Sequence, residues 1–106
     1  MAERKRVCIT GIGAVSAYGR EASDVWAGLS AGRSAIGLVR SFDASSLACR
    51  VAAEIRGYTP RDDMDTEAAA FMDRASLFAA DAAIQALIQS AVPITADTVT
   101  RIGVAV

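Results

Sequence analysis

The chain predicts an α/β fold, and three observations carry that expectation. Short apolar, β-branched runs at residues 7–10, 50–56 and 101–106 have the length and composition of strands. Helical periodicity fills residues 21–31 and 73–91 between them. At 106 residues the chain is long enough for one unit, residues 1–106, and too short for two.

Taken in order, Val7-Cys-Ile-Thr10 reads as a buried strand. Gly11 and Gly13 follow before apolar character resumes at Ala14 and Val15, the pattern of a strand whose backbone passes close to another element. Residues 16–20 form a turn. Val25, Trp26 and Leu29 then recur at helical spacing, Glu21 and Asp24 suit the N-terminal end of a helix, and Gly32 is placed to terminate it. Residues 33–48 show no periodicity and predict a long ordered connection, a kind of segment that usually serves a function. A second strand is expected at residues 50–56, closed by Gly57 and Pro60.

Residues 62–71 predict a short helix, and Asp73 starts a longer one running to about Ala91. On it Leu77, Ala80, Ile84, Leu87 and Ala91 form one stripe that Phe78, Ala82 and Ala83 widen, leaving Arg74, Asp81, Gln85 and Gln89 as a narrow polar strip. A helix apolar around most of its circumference belongs in the middle of a larger protein. Pro93 ends it, residues 95–100 make a polar turn, and Arg101-Ile-Gly-Val-Ala-Val106 reads as a third strand. An apolar strand that stops without a connection needs cover for its edge and both faces, so truncation is the expectation.

Composition excludes several functions. Apolar residues make up 53% of the chain, above the roughly 45–50% of typical domains, so leftover apolar faces needing a partner are expected. Eleven basic against twelve acidic side chains give a net charge of −1, without the clustered positive surface that nucleic acid requires. Residues 1–6 and the glycines beyond them do not fit a secretory signal, and Asp73, Arg74 and Asp81 disqualify the most apolar segment as a membrane span. A cytoplasmic setting follows. Cys8 and Cys49 have no metal-type spacing and no histidine to assist them, and read as free thiols buried like small hydrophobes.

Little chemistry is legible. Gly11-Ile-Gly13 after a strand invites comparison with a dinucleotide fingerprint, but Ser16 stands where the third glycine belongs and a turn separates it from the next helix. Nucleophilic catalysis needs a base beside the nucleophile, and the chain contains no histidine. The acidic pairs Asp62-Asp63 and Asp65-Glu67 read as solvated helix-start residues. No catalytic, cofactor-binding or metal-ligating residue is assigned.

The run Arg6-Val-Cys-Ile-Thr-Gly-Ile-Gly-Ala-Val-Ser-Ala-Tyr-Gly19, with Ala31-Gly-Arg-Ser-Ala-Ile-Gly37 after it, resembles the opening of the β-ketoacyl-acyl-carrier-protein synthases of the elongating type. Ser41-Phe-Asp-Ala-Ser45, Cys49-Arg-Val-Ala-Ala-Glu-Ile-Arg56, Met72-Asp-Arg74 and residues 101–106 are similar to later segments of that family in the same order, so the resemblance covers essentially the whole chain. It implies an incomplete, N-terminal part of a thiolase-like αβαβα fold, from a homodimeric acyltransferase of fatty-acid or polyketide synthesis. Such enzymes load an acyl group from a carrier protein onto a cysteine and condense it with malonyl carrier protein, releasing carbon dioxide.

That nucleophilic cysteine and both active-site histidines have no counterpart here, so the chain alone is expected to be catalytically incompetent. What carries over is scaffold: Gly11 and Gly13 in the first core strand, Trp26 in the first outer helix, and Asp73 and Arg74 opening the central helix. The family's short helix before the Met-Asp pair usually carries basic residues that meet the acidic carrier protein, whereas Thr66-Glu-Ala-Ala-Ala-Phe71 here has none. Complementary charge sets encounter and partner choice, which argues against ordinary acyl-carrier-protein docking. The competing expectation is a non-catalytic remnant or interaction module that self-associates or pairs with a complementary synthase segment.

Overall fold

The computed structural model describes residues 4–106, and α3 (Arg74–Ser90) is the axis on which the rest is arranged. It starts where the sequence placed it: the Asp73 carboxylate accepts from the Ser76 backbone N–H, satisfying an otherwise unpaired first-turn donor. The same bond holds the Asp73 carboxyl below its ordinary range. α3 ends at Ala91, which takes a left-handed conformation at φ 52, two residues before Pro93. Thr98 Oγ1 then accepts from the Thr95 backbone N–H and donates to the Pro93 carbonyl, fixing a turn that leads into a 3-10 turn at Val99–Arg101.

α1 (Ala22–Ser30) also matches its sequence signals. The Asp24 carboxylate accepts from the backbone N–H groups of Arg20 and Glu21 across the helix start. At the other end Gly32, at φ +64, lets its own N–H reach the Leu29 carbonyl and the Arg33 N–H reach that of Gly28. This is the paired bonding of a Schellman stop, and it depends on the absent Cβ. α2 is shorter than expected, Thr66–Ala70, with Asp65 accepting from Glu67 and Ala68 at its start.

The strands depart most from expectation. β1 (Gly37–Leu38) and β2 (Val51–Ala52) pair antiparallel, Gly37 opposite Ala52 and Leu38 opposite Val51. So residues 33–48, read as connection only, contribute one side of a hairpin, and the strand expected at 50–56 shrinks to two residues. Residues 7–10 and 101–106 are in no strand. A strand exists only where a neighbour completes its ladder, and none lies beside either segment; Val7 and Val104 are about 90% exposed. The described residues thus hold helices and a two-stranded sheet, without the five layers of a complete thiolase-like fold.

Gly11 and Gly13 do lie against another backbone, but it is that of a helix. A Cβ on Gly11 would overlap the Ala86 carbonyl, and one on Gly13 the Ala82 carbonyl, one turn earlier on α3. Hydrogen bonds fix the approach: Ile12 N–H donates to Gln89 Oε1 at 2.6 Å and Ala14 N–H to Gln85 Oε1 at 3.2 Å. Alternate residues of an extended chain are about 6.6 Å apart, close to the roughly 6 Å between residues one helical turn apart. Two glutamines four positions apart can therefore meet two N–H groups two positions apart.

The chain covers little of its own apolar surface. Its radius of gyration is 17.8 Å, against about 13 Å for a compact domain of this length. Its accessible surface is 8733 Å², where a compact protein of 11.0 kDa exposes about 5600 Å². Trp26, Phe71 and Ile88 stand exposed, while Ala44, Met64 and Ala69 are the buried hydrophobic residues.

Gly13→Ala should release the 11–15 segment from α3, because a helix carbonyl cannot step aside as a flexible side chain can. Amide hydrogen exchange at Ile12 and Ala14 is expected to accelerate in that variant. Gly37→Ala, where an added Cβ meets nothing within 4 Å, should leave both amides as protected as before.

Candidate functional site

The narrow polar strip of α3 holds the most enclosed residue among those described, although Arg74 and Gln89 at its ends are exposed. Asp81 has no exposed surface and is the only fully buried large side chain among the described residues. Its carboxylate accepts from Arg20 Nη2 at 2.8 Å and Gln85 Nε2 at 2.9 Å, and Arg61 Nη1 lies 3.6 Å away. Gln85 also donates to the Arg20 carbonyl at 2.6 Å, so one amide serves the carboxylate, the turn before α1 and the Ala14 N–H together. Tyr58 closes the cluster: the Arg20 guanidinium lies 4.8 Å from its ring centroid, and that ring meets Phe78 edge-on at 4.8 Å.

The electrostatics follow from this packing. Burial alone raises the Asp81 carboxyl, but hydrogen bonds from Gln85 and Arg20, with the Arg20 charge, outweigh it and leave the group below its ordinary range. Burial, followed by the Asp81 charge, pushes the Tyr58 hydroxyl up. Arg61 is shared, donating to Asp63 at 2.7 and 2.9 Å. Asp63 is therefore an ion-pair partner and not the helix-capping acid its position suggested.

A second polar knot sits beside the hairpin. Glu54 accepts from the backbone N–H groups of Arg40 and Ser41, from the Ser41 hydroxyl, and from Arg56 at 2.8 Å. The Ser41 hydroxyl bond, then its backbone bond, hold the Glu54 carboxyl down at about 2. Both knots bind charged groups into the scaffold, and neither presents a free nucleophile or base.

Cys8 and Cys49 are exposed, which corrects the expectation of buried thiols. Cys8 belongs to the segment without a strand neighbour, and Cys49 precedes the short β2 with its thiol 3.7 Å from the Val51 carbonyl. Trp26 likewise lies on an uncovered face of α1, about three-quarters exposed. Asp73 takes the helix-opening position assigned to it, and Arg74 donates to the Ile55 carbonyl while stacking over Phe78; Gly11 and Gly13, assigned to a core strand, lie in no strand and pack on α3 instead. Among the described residues no three His, Cys, Asp or Glu side chains converge to hold a metal ion. The importance of Asp81 was missed; its one sequence signal was a carboxylate on an otherwise alanine-rich helix.

Residues 4–106 match the family described as "Beta-ketoacyl synthase, N-terminal domain". The 3-oxoacyl-[acyl-carrier-protein] synthase 2 of Coxiella burnetii is 38% identical over 104 residues, 98% of this chain and 25% of that protein. The protein of the same name from Synechocystis sp. is 38% identical over 102 residues, 96% of this chain and 24% of the relative. That of Vibrio cholerae is 32% identical over 103 residues, covering 97% and 25%. The chain thus spans about a quarter of the length of the curated relatives it matches.

Proposed function

Because the chain belongs to the β-ketoacyl synthase family through that family's N-terminal domain, we propose that it supplies the N-terminal scaffold of a 3-oxoacyl-carrier-protein synthase. In that reading the whole enzyme transfers an acyl group from a carrier-protein thioester to a cysteine. It then joins the acyl carbon to a malonyl thioester as carbon dioxide leaves, giving the β-ketoacyl product of fatty-acid elongation. The observation that carries the reading is the ordered match along 103 residues to the synthase N-terminal domain.

This chain's part is structural. It has no histidine, and the two thiols have no general base beside them in the clusters described above. Its contribution is to hold the glycine segment and the turn before α1 against α3, as the Asp81 and glutamine contacts do, and the chain after the hairpin, as Arg74 does through the Ile55 carbonyl. A polyketide pathway, a homodimeric whole enzyme and a cytoplasmic setting belong to the same proposal; no helix among the described residues is long and apolar enough to cross a membrane. Carrier-protein docking through α2 is disfavoured, since its one charged side chain is Glu67.

Incubating the purified 106-residue chain with acyl and malonyl carrier proteins should give no β-ketoacyl product. Product above a no-protein control would overturn the assignment of this chain to scaffold alone.

The excess accessible surface favours a second, non-catalytic reading: association of the apolar faces with another copy or with a complementary synthase segment. Sedimentation of the isolated chain across a concentration series should show mass-dependent association and binding of a hydrophobic dye. A monodisperse monomer with a sharp urea transition would contradict that reading.

A further inference from the structure

One groove on the surface concentrates positive charge on a chain that is slightly acidic overall. It runs between the ends of the hairpin and the first turns of α3, and is lined by Arg40, Ser41, Glu54, Arg56, Arg74 and Phe78 among others. Glu54 is the one carboxylate in its wall, and its oxygens are already engaged by Ser41, by Arg56 and by the Arg40 backbone. Three guanidinium groups against one carboxylate leave the groove with two uncompensated positive charges.

Two of these groups are pre-positioned. Arg56 is fixed between Glu54 and the Leu38 carbonyl, yet its side chain remains about half exposed. Arg74 is held by the Ile55 carbonyl at 2.8 Å and by the face of Phe78, 5.1 Å from the ring centroid. Each anchor uses part of a five-donor fork and leaves other N–H groups for a ligand. Fixing a guanidinium beforehand lowers the ordering cost of binding, and its planar fork matches the oxygens of a phosphate. Phe78 and Ile55 add an apolar wall beside that charge.

We propose that this groove binds a phosphomonoester, its dianion between Arg40, Arg56 and Arg74 and an apolar substituent against Phe78. A phosphomonoester carries close to two negative charges near neutral pH, which matches the uncompensated charge of the groove. The groove lies beside the second polar knot and meets the Asp81 cluster only through Phe78, whose ring packs on Tyr58.

The test is nuclear magnetic resonance of the dilute 106-residue chain, titrated near neutral pH and at constant ionic strength with inorganic phosphate and with phenyl phosphate. Saturable shifts are expected at the Ser41 and Gly57 amides and at Arg74 Nε, with phenyl phosphate binding more tightly than phosphate. Arg40→Gln, which keeps the backbone bond to Glu54, should weaken binding about two- to fivefold, the upper part of the range for one exposed charge pair. Arg40→Gln with Arg74→Gln should abolish saturation, while Arg101→Gln changes nothing. Unchanged Arg20 side-chain resonances show that the fold survives; if they move in the double variant, the single Arg40→Gln result decides. Absence of saturable shifts, or equal affinity in the wild type and Arg40→Gln, would overturn the proposal.

Discussion

A carboxylate sealed from water on an alanine-rich helix sets the terms for the rest of this structure. Removing a charge from solvent costs several kcal/mol unless partners replace the lost hydration, and Asp81 obtains them from three separate places in the chain. Arg20 comes from the turn before α1, Arg61 from the loop before α2, and Gln85 from the next turn of its own helix. Arg20 and Arg61 thereby draw their segments to α3. The interaction therefore organises topology more than it adds stability, since an apolar replacement of similar volume can match a buried ion pair in energy.

The glycine segment completes the arrangement by a different means. A chain without a strand neighbour must still satisfy its backbone donors, and the Gln85 and Gln89 side chains act as acceptors for Ile12 and Ala14. The approach is close enough that a methyl group at Gly11 or Gly13 would collide with α3 carbonyls. Gln85 joins this docking to the Asp81 cluster, so the two contacts act as one unit around α3. Outside that unit the chain leaves apolar side chains of α1, α3 and residues 7–9 uncovered, as suits a part that is packed by further polypeptide in the proposed synthase.

What was legible in the sequence follows from how local each signal is. The limits of α1 and α3 are written in neighbouring residues: Gly32 permits the left-handed stop, and Asp73 caps the first turn it precedes. The close approach at Gly11 and Gly13 was also legible, but the nature of the neighbour was not, because a missing Cβ admits strand and helix backbone equally. The two-residue hairpin escaped notice since its register depends on pairs thirteen and fifteen positions apart, Leu38 with Val51 and Gly37 with Ala52, and on Glu54 binding Ser41. Asp81 was read only as one member of a narrow polar strip, because periodicity records which residues share a face and cannot record that Arg20, sixty-one positions away, covers it. Cys8 and Cys49 were read as buried on composition, and they lie exposed because the strands meant to enclose them lack partners.

The central claim is that Asp81 is ionised, sealed and held by Arg20 and Gln85, and its own titration tests this most directly. A carboxylate whose folded value is depressed contributes stability above its unfolded value, near 3.8, and that contribution is lost as pH falls through the folded value. Side-chain carbon resonances of Asp81 followed through an acid titration should place its midpoint below 3.8, and Arg20→Met should raise it by removing both a hydrogen bond and a charge. A midpoint at or above the ordinary aspartate value in the wild type, or no change in Arg20→Met, would contradict the account.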